Sequence, residues 1–168
     1  MKKSAVFIFL LIWSLGVAGQ DEATRLSKGC MAPEFTFETS PGKSVPITGY
    51  RGKVVLITFF ATWCGPCRQE LPLIDSDIYG RYSASSDLVL LAFGREHDWP
   101  AVEKFKKEQH FTMPLFPDPE RKIFSLFAAQ NIPRNFLIDK QGKIVYSSVG
   151  FNKEEFARLK DAIESALK

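Results

Sequence analysis

The segment from Val54 to Cys67 reads VVLITFFATWCGPC, and it decides the fold. Its first seven residues, Val54 to Phe60, form a nearly unbroken run of β-branched and aromatic side chains, which is typical of a central strand buried on both faces. Cys64 and Cys67 follow this strand at C-x-x-C spacing. Apolar residues at helical spacing then predict a helix, namely Leu71, Ile74 and Ile78. The segment therefore predicts a buried strand, a cysteine pair and a helix in direct succession.

The position between strand and helix gives the cysteine pair its chemistry. The N-terminus of a helix presents unpaired N–H groups and the positive end of the helix dipole, which lower a thiol pKa from about 8.5 to about 7 or below. Because only the thiolate attacks a disulfide, we predict that the more N-terminal Cys64 is the nucleophile. Cys67, one turn further along, would resolve the mixed disulfide. Gly65 and Pro66 shape the turn between the two sulfurs.

A zinc site and a structural disulfide are the other interpretations of a C-x-x-C pair. Zinc needs two more ligands, yet the chain has no second C-x-x-C, and its only histidines, His97 and His110, are thirteen residues apart. A structural disulfide does not require a strand before it, a helix after it and a tryptophan beside it. We therefore predict a redox-active disulfide, with no metal and no separate cofactor.

For Cys30 and His97, which also have reactive side chains, we predict no role in catalysis. We expect Cys30 to be a buried small hydrophobe near the first strand, a regulatory or intermolecular thiol being the alternative. His97 follows a predicted strand, and we expect a solvated loop histidine without a catalytic role.

The remainder of the chain alternates between strand and helix patterns. Strands are predicted at 35–37, 44–47, 88–93, 135–139 and 144–148, the first two and the last two forming hairpins. Helix starts are predicted from capping residues, namely Asp98, Asp118 and Asn152. This order predicts an α/β fold with a central mixed β-sheet flanked by helices and an N-terminal β-hairpin.

The 168 residues are enough for one domain after an export signal is removed. Lys2 and Lys3 precede an apolar run at 5–17 and small residues at 17–19, so residues 1–19 are predicted to be a signal peptide. If uncleaved, this segment would anchor the protein in a membrane, although the run is shorter than the about 20 residues of a spanning helix. We expect a linker at 20–33 and the folded domain at 34–168. The net charge of +3 gives no argument for nucleic-acid binding.

Three segments resemble the thioredoxin superfamily, in particular its exported TlpA/ResA-like branch. They are Ala32 to Phe35 (APEF), Phe59 to Cys67 (FFATWCGPC) and Ile132 to Asp139 (IPRNFLID). The resemblance implies a thioredoxin-like fold in which Pro133 is cis and faces the disulfide. It also implies that substrate contacts Trp63, Gly65, Pro66, Ile132, Pro133 and Arg134. The long interval between Cys64 and Pro133 is similar to the strand-helix insertion of that branch, which we expect within residues 95–130.

Three positions bear on how far the resemblance extends. Cytoplasmic thioredoxins carry a buried Asp six residues before the first cysteine, where this chain has Thr58. ResA-like proteins carry a Glu three residues after the second cysteine, which Glu70 matches, so we expect it to tune the thiols or move protons. The alternative is a solvated carboxylate on the helix surface. Arg134 stands where the family often has Thr, and its cation would lie beside the disulfide or point to solvent.

We expect Trp63 to pack beside the disulfide and shield it, a rim aromatic being the alternative.

The function that the resemblance implies is thiol-disulfide exchange in a periplasmic or other extracytoplasmic compartment. In this family the usual direction is reduction of disulfide-containing exported proteins, including apocytochrome c, with electrons from a membrane donor. Two alternatives stay open. One is a peroxiredoxin-like thiol peroxidase, which would carry Pro and Thr before a single reactive cysteine. The other is a non-catalytic binding module of the same fold.

Overall fold

The computed structural model describes residues 23–168, and its centre is a five-stranded mixed sheet in the order β5-β4-β3-β6-β7. The middle strand, β3 (Val54–Phe60), is buried at all seven positions, as its apolar run predicts. It pairs in parallel with β4 (Leu88–Arg95) and antiparallel with β6 (Arg134–Ile138). The edges are β5 (Leu115–Asp118) and β7 (Ile144–Val149). The mixed sheet confirms the predicted fold class.

A separate two-stranded sheet precedes the central one. It is the antiparallel hairpin of β1 (Thr36–Ser40) and β2 (Lys43–Pro46), and a 3-10 turn at Ile47–Tyr50 leads from it toward β3. Phe37 on β1 is buried and packs on Phe93 and Phe116 of the central sheet. The predicted N-terminal hairpin is therefore present and covers one sheet face.

Helices cover both faces of the central sheet. The bounds are α1 (Gly65–Leu73), α2 (Gly80–Tyr82), α3 (Trp99–Gln109), α4 (Phe124–Phe127) and α5 (Lys153–Leu167), with a π-helical segment at Ile74–Tyr79 between α1 and α2. Buried side chains of α1, α3 and α5 form one apolar cluster with the side chains on one face of the sheet. Those of α4 and the β1–β2 hairpin share a second, phenylalanine-rich cluster on the opposite face.

Two of the predicted helix caps have the expected geometry. Asp98 Oδ1 accepts the Ala101 N–H at 3.0 Å at the start of α3. Asn152 Oδ1 accepts the Glu155 N–H at 2.7 Å at the start of α5. The rings of Phe151 and Phe156 lie 6.3 Å apart across the same turn, which is the contact of a hydrophobic staple.

The predicted helix start at Asp118 is wrong in position. Asp118 ends β5, and α4 begins only at Phe124. The Asp118 carboxylate nevertheless accepts the N–H groups of Ile123 and Phe124, at 3.1 and 2.8 Å. It therefore caps α4 across an intervening turn, which the spacing rule for local caps does not cover. The helix α3 and the strand β5 both lie within the predicted insertion at 95–130.

The predicted signal peptide, 1–19, lies outside the described residues, as does the start of the predicted linker at 20–33. Residues 23–33 run along the domain: the N–H of Arg25 donates to Phe127 O, and that of Gly29 donates to Ile144 O. The expectation that Cys30 is buried is wrong, because its side chain is exposed. Only its backbone is held, through Ser27 and Ile144. Among residues 23–168, no helix is long and apolar enough to span a membrane.

We predict that Asn152→Ala lowers the free energy of unfolding by about 1 kcal/mol, because the first turn of α5 loses its side-chain cap. Urea unfolding followed by far-UV circular dichroism would measure the change. Asn152→Asp keeps an acceptor oxygen and is the matched control, with an expected change of a few tenths of a kcal/mol. Equal losses in both variants would contradict the capping role.

Candidate active site

The cysteine pair sits where β3 gives way to α1. Cys64 is the N-cap of α1, and its Sγ accepts the Cys67 N–H at 3.2 Å. The two sulfurs form a disulfide with an S–S distance of 2.05 Å. Cys67 is fully buried, whereas Cys64 is 5% exposed. An N–H donor and the positive end of a helix dipole therefore converge on Cys64, the sulfur that the sequence predicts as nucleophile.

A second loop faces the disulfide from the start of β6. The Ile132–Pro133 peptide bond is cis, as the resemblance implies. Cys64 Sγ lies 3.7 Å from the Ile132 carbonyl oxygen, and Pro133 O accepts the Gly150 N–H at 2.9 Å. The fold thus brings together the two segments that sequence reasoning selected, although Cys64 and Pro133 are far apart along the chain.

The rim of the site is formed by exposed residues of the C-x-x-C loop. Gly65 and Pro66 are exposed. Trp63 is 64% exposed, so the expectation that it shields the disulfide is not met, and it is the rim aromatic of the alternative interpretation. The Arg95 guanidinium lies 5.7 Å from the centre of the Trp63 ring, close enough for a cation–π contact that holds the indole from one side.

Glu70 is buried behind the disulfide, at only 2% exposure. Its Oε1 accepts a hydrogen bond from Asn135 Nδ2 at 2.7 Å. Burial disfavours the charged carboxylate and raises the pKa of Glu70 to about 7, while the Asn135 hydrogen bond acts in the opposite direction. Glu70 is therefore not the solvated surface carboxylate of the alternative interpretation. It is a buried acid one helical turn from Cys67, with a pKa suited to proton transfer near neutral pH.

Asn135 is a site residue that sequence reasoning missed. It pairs across the sheet with Thr58 of β3 and with Ser148 of β7. All three are buried polar residues in an otherwise apolar sheet. The detectable signal was a polar residue at the second position of the strand Arg134 to Ile138, which alternation places on the same face as Leu137.

Arg134 occupies neither of its two expected positions. Its side chain is fully buried, so it does not point to solvent. Its Nε donates to Gln130 O at 2.8 Å, and its Nη1 donates to Thr24 Oγ1 at 2.6 Å. Side chains alternate along a strand, so Arg134 lies on the sheet face opposite Asn135. The guanidinium ties the loop before β6 to the N-terminal segment and does not line the rim of the disulfide.

The structure does not show His97 as the solvated loop residue that the sequence predicts; it contacts the loop that carries Cys64. It is half-buried, and its Nε2 accepts the Thr62 N–H at 2.9 Å. An accepting Nε2 requires a neutral ring, and burial lowers the pKa of His97 accordingly. His97 thus fixes the backbone two residues before Cys64. Within residues 23–168, no group of three or more His, Cys, Asp and Glu side chains is arranged to hold a metal ion.

Comparison with known proteins gives consistent matches. Residues 27–163 match the protein-family model described as Redoxin. The chain is 32% identical over 143 residues to the thiol-disulfide oxidoreductase ResA of Geobacillus thermodenitrificans, a match covering 83% of this chain and 81% of that protein. It is also similar to the solution structure of a putative protein disulfide isomerase from Bacteroides thetaiotaomicron, at 39% identity and a TM-score of 0.82, over 86% of this chain and 92% of that one. A putative thiol:disulfide interchange protein DsbE from Chlorobium tepidum follows at 29% identity and a TM-score of 0.75, covering 85% and 99% of the two chains.

The burial of Glu70 predicts a specific pH dependence of stability. Its pKa of about 7 exceeds the ordinary value of 4.5, so the folded state holds this proton more tightly than the unfolded chain does. Its contribution to stability is therefore complete below about pH 4.5 and is lost as the pH rises toward 7. We predict that oxidised Glu70→Gln is more stable than the parent by about 2 kcal/mol at pH 8, where only the parent holds a buried charge.

Urea unfolding of the oxidised protein between pH 4 and pH 8 would measure this difference, which should shrink toward the acidic end. The matched control is Glu103→Gln, since Glu103 is an exposed glutamate on α3. A Glu70→Gln variant that is less stable than the parent at pH 8 would contradict the prediction.

Proposed function

Because the chain belongs to the Redoxin family and is a thiol-disulfide oxidoreductase of the thioredoxin superfamily, we propose that it is exported and reduces disulfide bonds of other exported proteins through Cys64 and Cys67. The observation that carries this proposal is the placement of the cysteines. Cys64 caps α1 beside the Ile132 carbonyl, and Cys67 lies fully buried behind it. These positions support the roles proposed here, in which Cys64 meets the substrate and Cys67 closes on Cys64.

The first step is attack by the Cys64 thiolate on one sulfur of the substrate disulfide. A Cys64–substrate S–S bond forms as the substrate S–S bond breaks, and the released substrate thiolate takes a proton from water. The Cys67 N–H and the dipole of α1 stabilise the attacking thiolate before the step. Because the thiolate is already favoured there, no separate base is required at Cys64.

The second step closes the Cys64–Cys67 disulfide. Glu70 accepts the proton of the Cys67 thiol, and the Cys67 thiolate attacks Cys64 Sγ. The second substrate sulfur leaves as a thiolate that water protonates. The substrate has then gained two electrons and two protons, and the enzyme holds a disulfide. A membrane-bound dithiol donor would return the two electrons.

Substrate would bind over the rim of the site. Trp63, Gly65 and Pro66 offer an exposed surface on one side of Cys64. Ile132 and Pro133 face it from the other side, so an extended segment around a substrate cysteine could lie between the two loops. Disulfide-containing exported proteins, apocytochrome c among them, are the proposed substrates. Arg134 contributes no contact in this proposal because its guanidinium is buried.

Export is supported by the N-terminal sequence pattern, a basic start followed by an apolar run and small residues at 17–19. The reducing direction is supported by the Gly65-Pro66 pair, which resembles that of thioredoxin. A periplasmic or other extracytoplasmic enzyme would meet oxidised substrates continuously. It would therefore depend on an electron donor at the membrane.

We predict that Cys67→Ser accumulates a mixed disulfide with a disulfide-containing peptide, because Cys64 can attack but nothing resolves the adduct. Cys64→Ser should form no adduct. Cys30 is exposed and would give background adducts, so both variants carry Cys30→Ser. Non-reducing gels and intact-mass measurement would detect the adduct.

The matched control is Cys30→Ser alone, which should reduce the peptide at the parental rate. Full turnover by the Cys67→Ser variant would contradict dithiol exchange. Rapid consumption of hydrogen peroxide by that variant would instead support the thiol peroxidase. Retention of partner binding without either active-site cysteine, and with no turnover in the parent, would support the binding module.

We predict a Cys64–Cys67 reduction potential near that of thioredoxin, about −270 mV, because a reductant must lose electrons to exported disulfides. Equilibration in graded dithiol buffers followed by alkylation and mass measurement gives the value. A potential near −120 mV would reverse the direction and identify an oxidant. The absence of a reversible two-electron transition would contradict the proposed function altogether.

A further inference from the structure

The buried polar residues behind the disulfide form a connected cluster on one face of the sheet. Asn135 Nδ2 donates to Glu70 Oε1 at 2.7 Å and to Ser148 Oγ at 3.3 Å. Three buried side-chain oxygens of the described residues lack a hydrogen-bond partner, and all three belong to this region: Thr58 Oγ1, Glu70 Oε2 and Asn135 Oδ1. The cluster therefore has spare acceptors, and Asn135 supplies its amide donors.

The hydrogen bonds fix the orientation of the Asn135 amide. When Glu70 is ionised, both of its oxygens can only accept, so the Asn135 nitrogen then faces Glu70, which is the orientation in the structure. Its two N–H groups are then both used, one toward Glu70 and one toward Ser148. Because Oε1 is occupied as an acceptor, a proton on Glu70 resides on Oε2.

We propose that Asn135 is a positioning residue: it holds Glu70 through Oε1 and thereby assigns to Oε2 the proton that is exchanged with Cys67. The exchange with Cys67 rests on the proposed function. The effect of Asn135 on Glu70 does not, because it can be measured in the oxidised protein without turnover.

The other charged groups on the elements around Glu70 have partners of their own, which limits their effect on its pKa. On its own helix, Cys67 lies one turn before it, and Arg68 is exposed and donates to Thr62 O. From β6, Arg134 lies on the opposite face and is bonded to the loop before β6. From β7 and α5, the Tyr146 hydroxyl bonds to Glu155, which also pairs with Arg158. Lys160 of α5 pairs with Asp77.

The pKa of Glu70 therefore depends on two opposing effects. Burial disfavours its charge and raises its pKa, and the Asn135 hydrogen bond is the contact that lowers it. Hydrogen bonds to charged groups are strong enough to move an equilibrium about tenfold or more. Without the amide, Glu70 would keep its proton to higher pH and would accept the Cys67 proton less readily.

The test is a pH titration of the Glu70 side-chain carboxyl carbon by NMR in oxidised, ¹³C-glutamate-labelled protein, with Glu70→Gln identifying the signal. In Asn135→Leu, which has the same branched arrangement of heavy atoms but no donor, we expect the midpoint to rise by about one to two pH units. The matched control is Ser148→Ala, which removes the other hydrogen bond of the same amide and should leave the midpoint in place. An unchanged midpoint in Asn135→Leu would overturn the proposal.

A second readout separates this inference from the proposed function. The rate at which Cys67 resolves the Cys64 mixed disulfide should shift along the pH axis by the same amount as the Glu70 midpoint. If the midpoint moves and the rate profile does not, Asn135 still controls Glu70, but the exchange between Oε2 and Cys67 is overturned. If the protein shows no exchange at all while the midpoint moves, the proposed function has failed and the positioning role has not.

Folding of Asn135→Leu is itself informative. A variant that folds at pH 5 and unfolds at pH 8, and that Glu70→Gln rescues at pH 8, supports the role because the unpaired carboxylate is the cause. A variant that is unfolded at both pH values and is not rescued overturns it, since Asn135 would then serve the sheet in general.

Discussion

The junction between β3 and α1 is the constraint on which the rest of the structure depends. β3 is buried on both faces, so its end is fixed by the packing of the whole sheet. The next helix begins five residues later, at Gly65, and Cys64 caps it through its own sulfur. One atom is therefore both the cap of a helix and half of a redox pair. The stability of the fold and the reactivity of the thiolate share the same N–H donor.

The buried acid of this protein reaches the redox centre from the helix and not from the strand. Thr58, on β3, occupies the position where thioredoxins carry a buried Asp. It is the direct cross-strand partner of Asn135, so the two side chains lie on the same sheet face, and Asn135 bonds to Glu70 on α1. In this chain the buried carboxyl group therefore lies on α1, and the strand position is occupied by the hydroxyl group of Thr58. Burial is what raises the pKa of Glu70 at this position on α1.

Much of the fold was predictable because its signals are local. The apolar run of β3 and the Asn152 cap of α5 depend on residues within one or two turns of each other. The start of α4 was not predictable in the same way. Asp118 caps it from five and six residues away, across a turn whose shape depends on packing against the sheet. The exposure of Cys30 likewise follows from how the N-terminal segment lies on the domain.

The sequence by itself determined the redox pair, because a strand, a C-x-x-C and a helix in succession create the helix-terminal cysteine in any surrounding fold. Only the tertiary structure decided which polar residues join it. Arg134 and Asn135 are neighbours in sequence, yet they lie on opposite faces of β6, and only Asn135 reaches Glu70. His97 meets Thr62 because β4 runs parallel to β3, so that both strands end at the same edge. These contacts depend on strand order and register, which a local pattern does not specify.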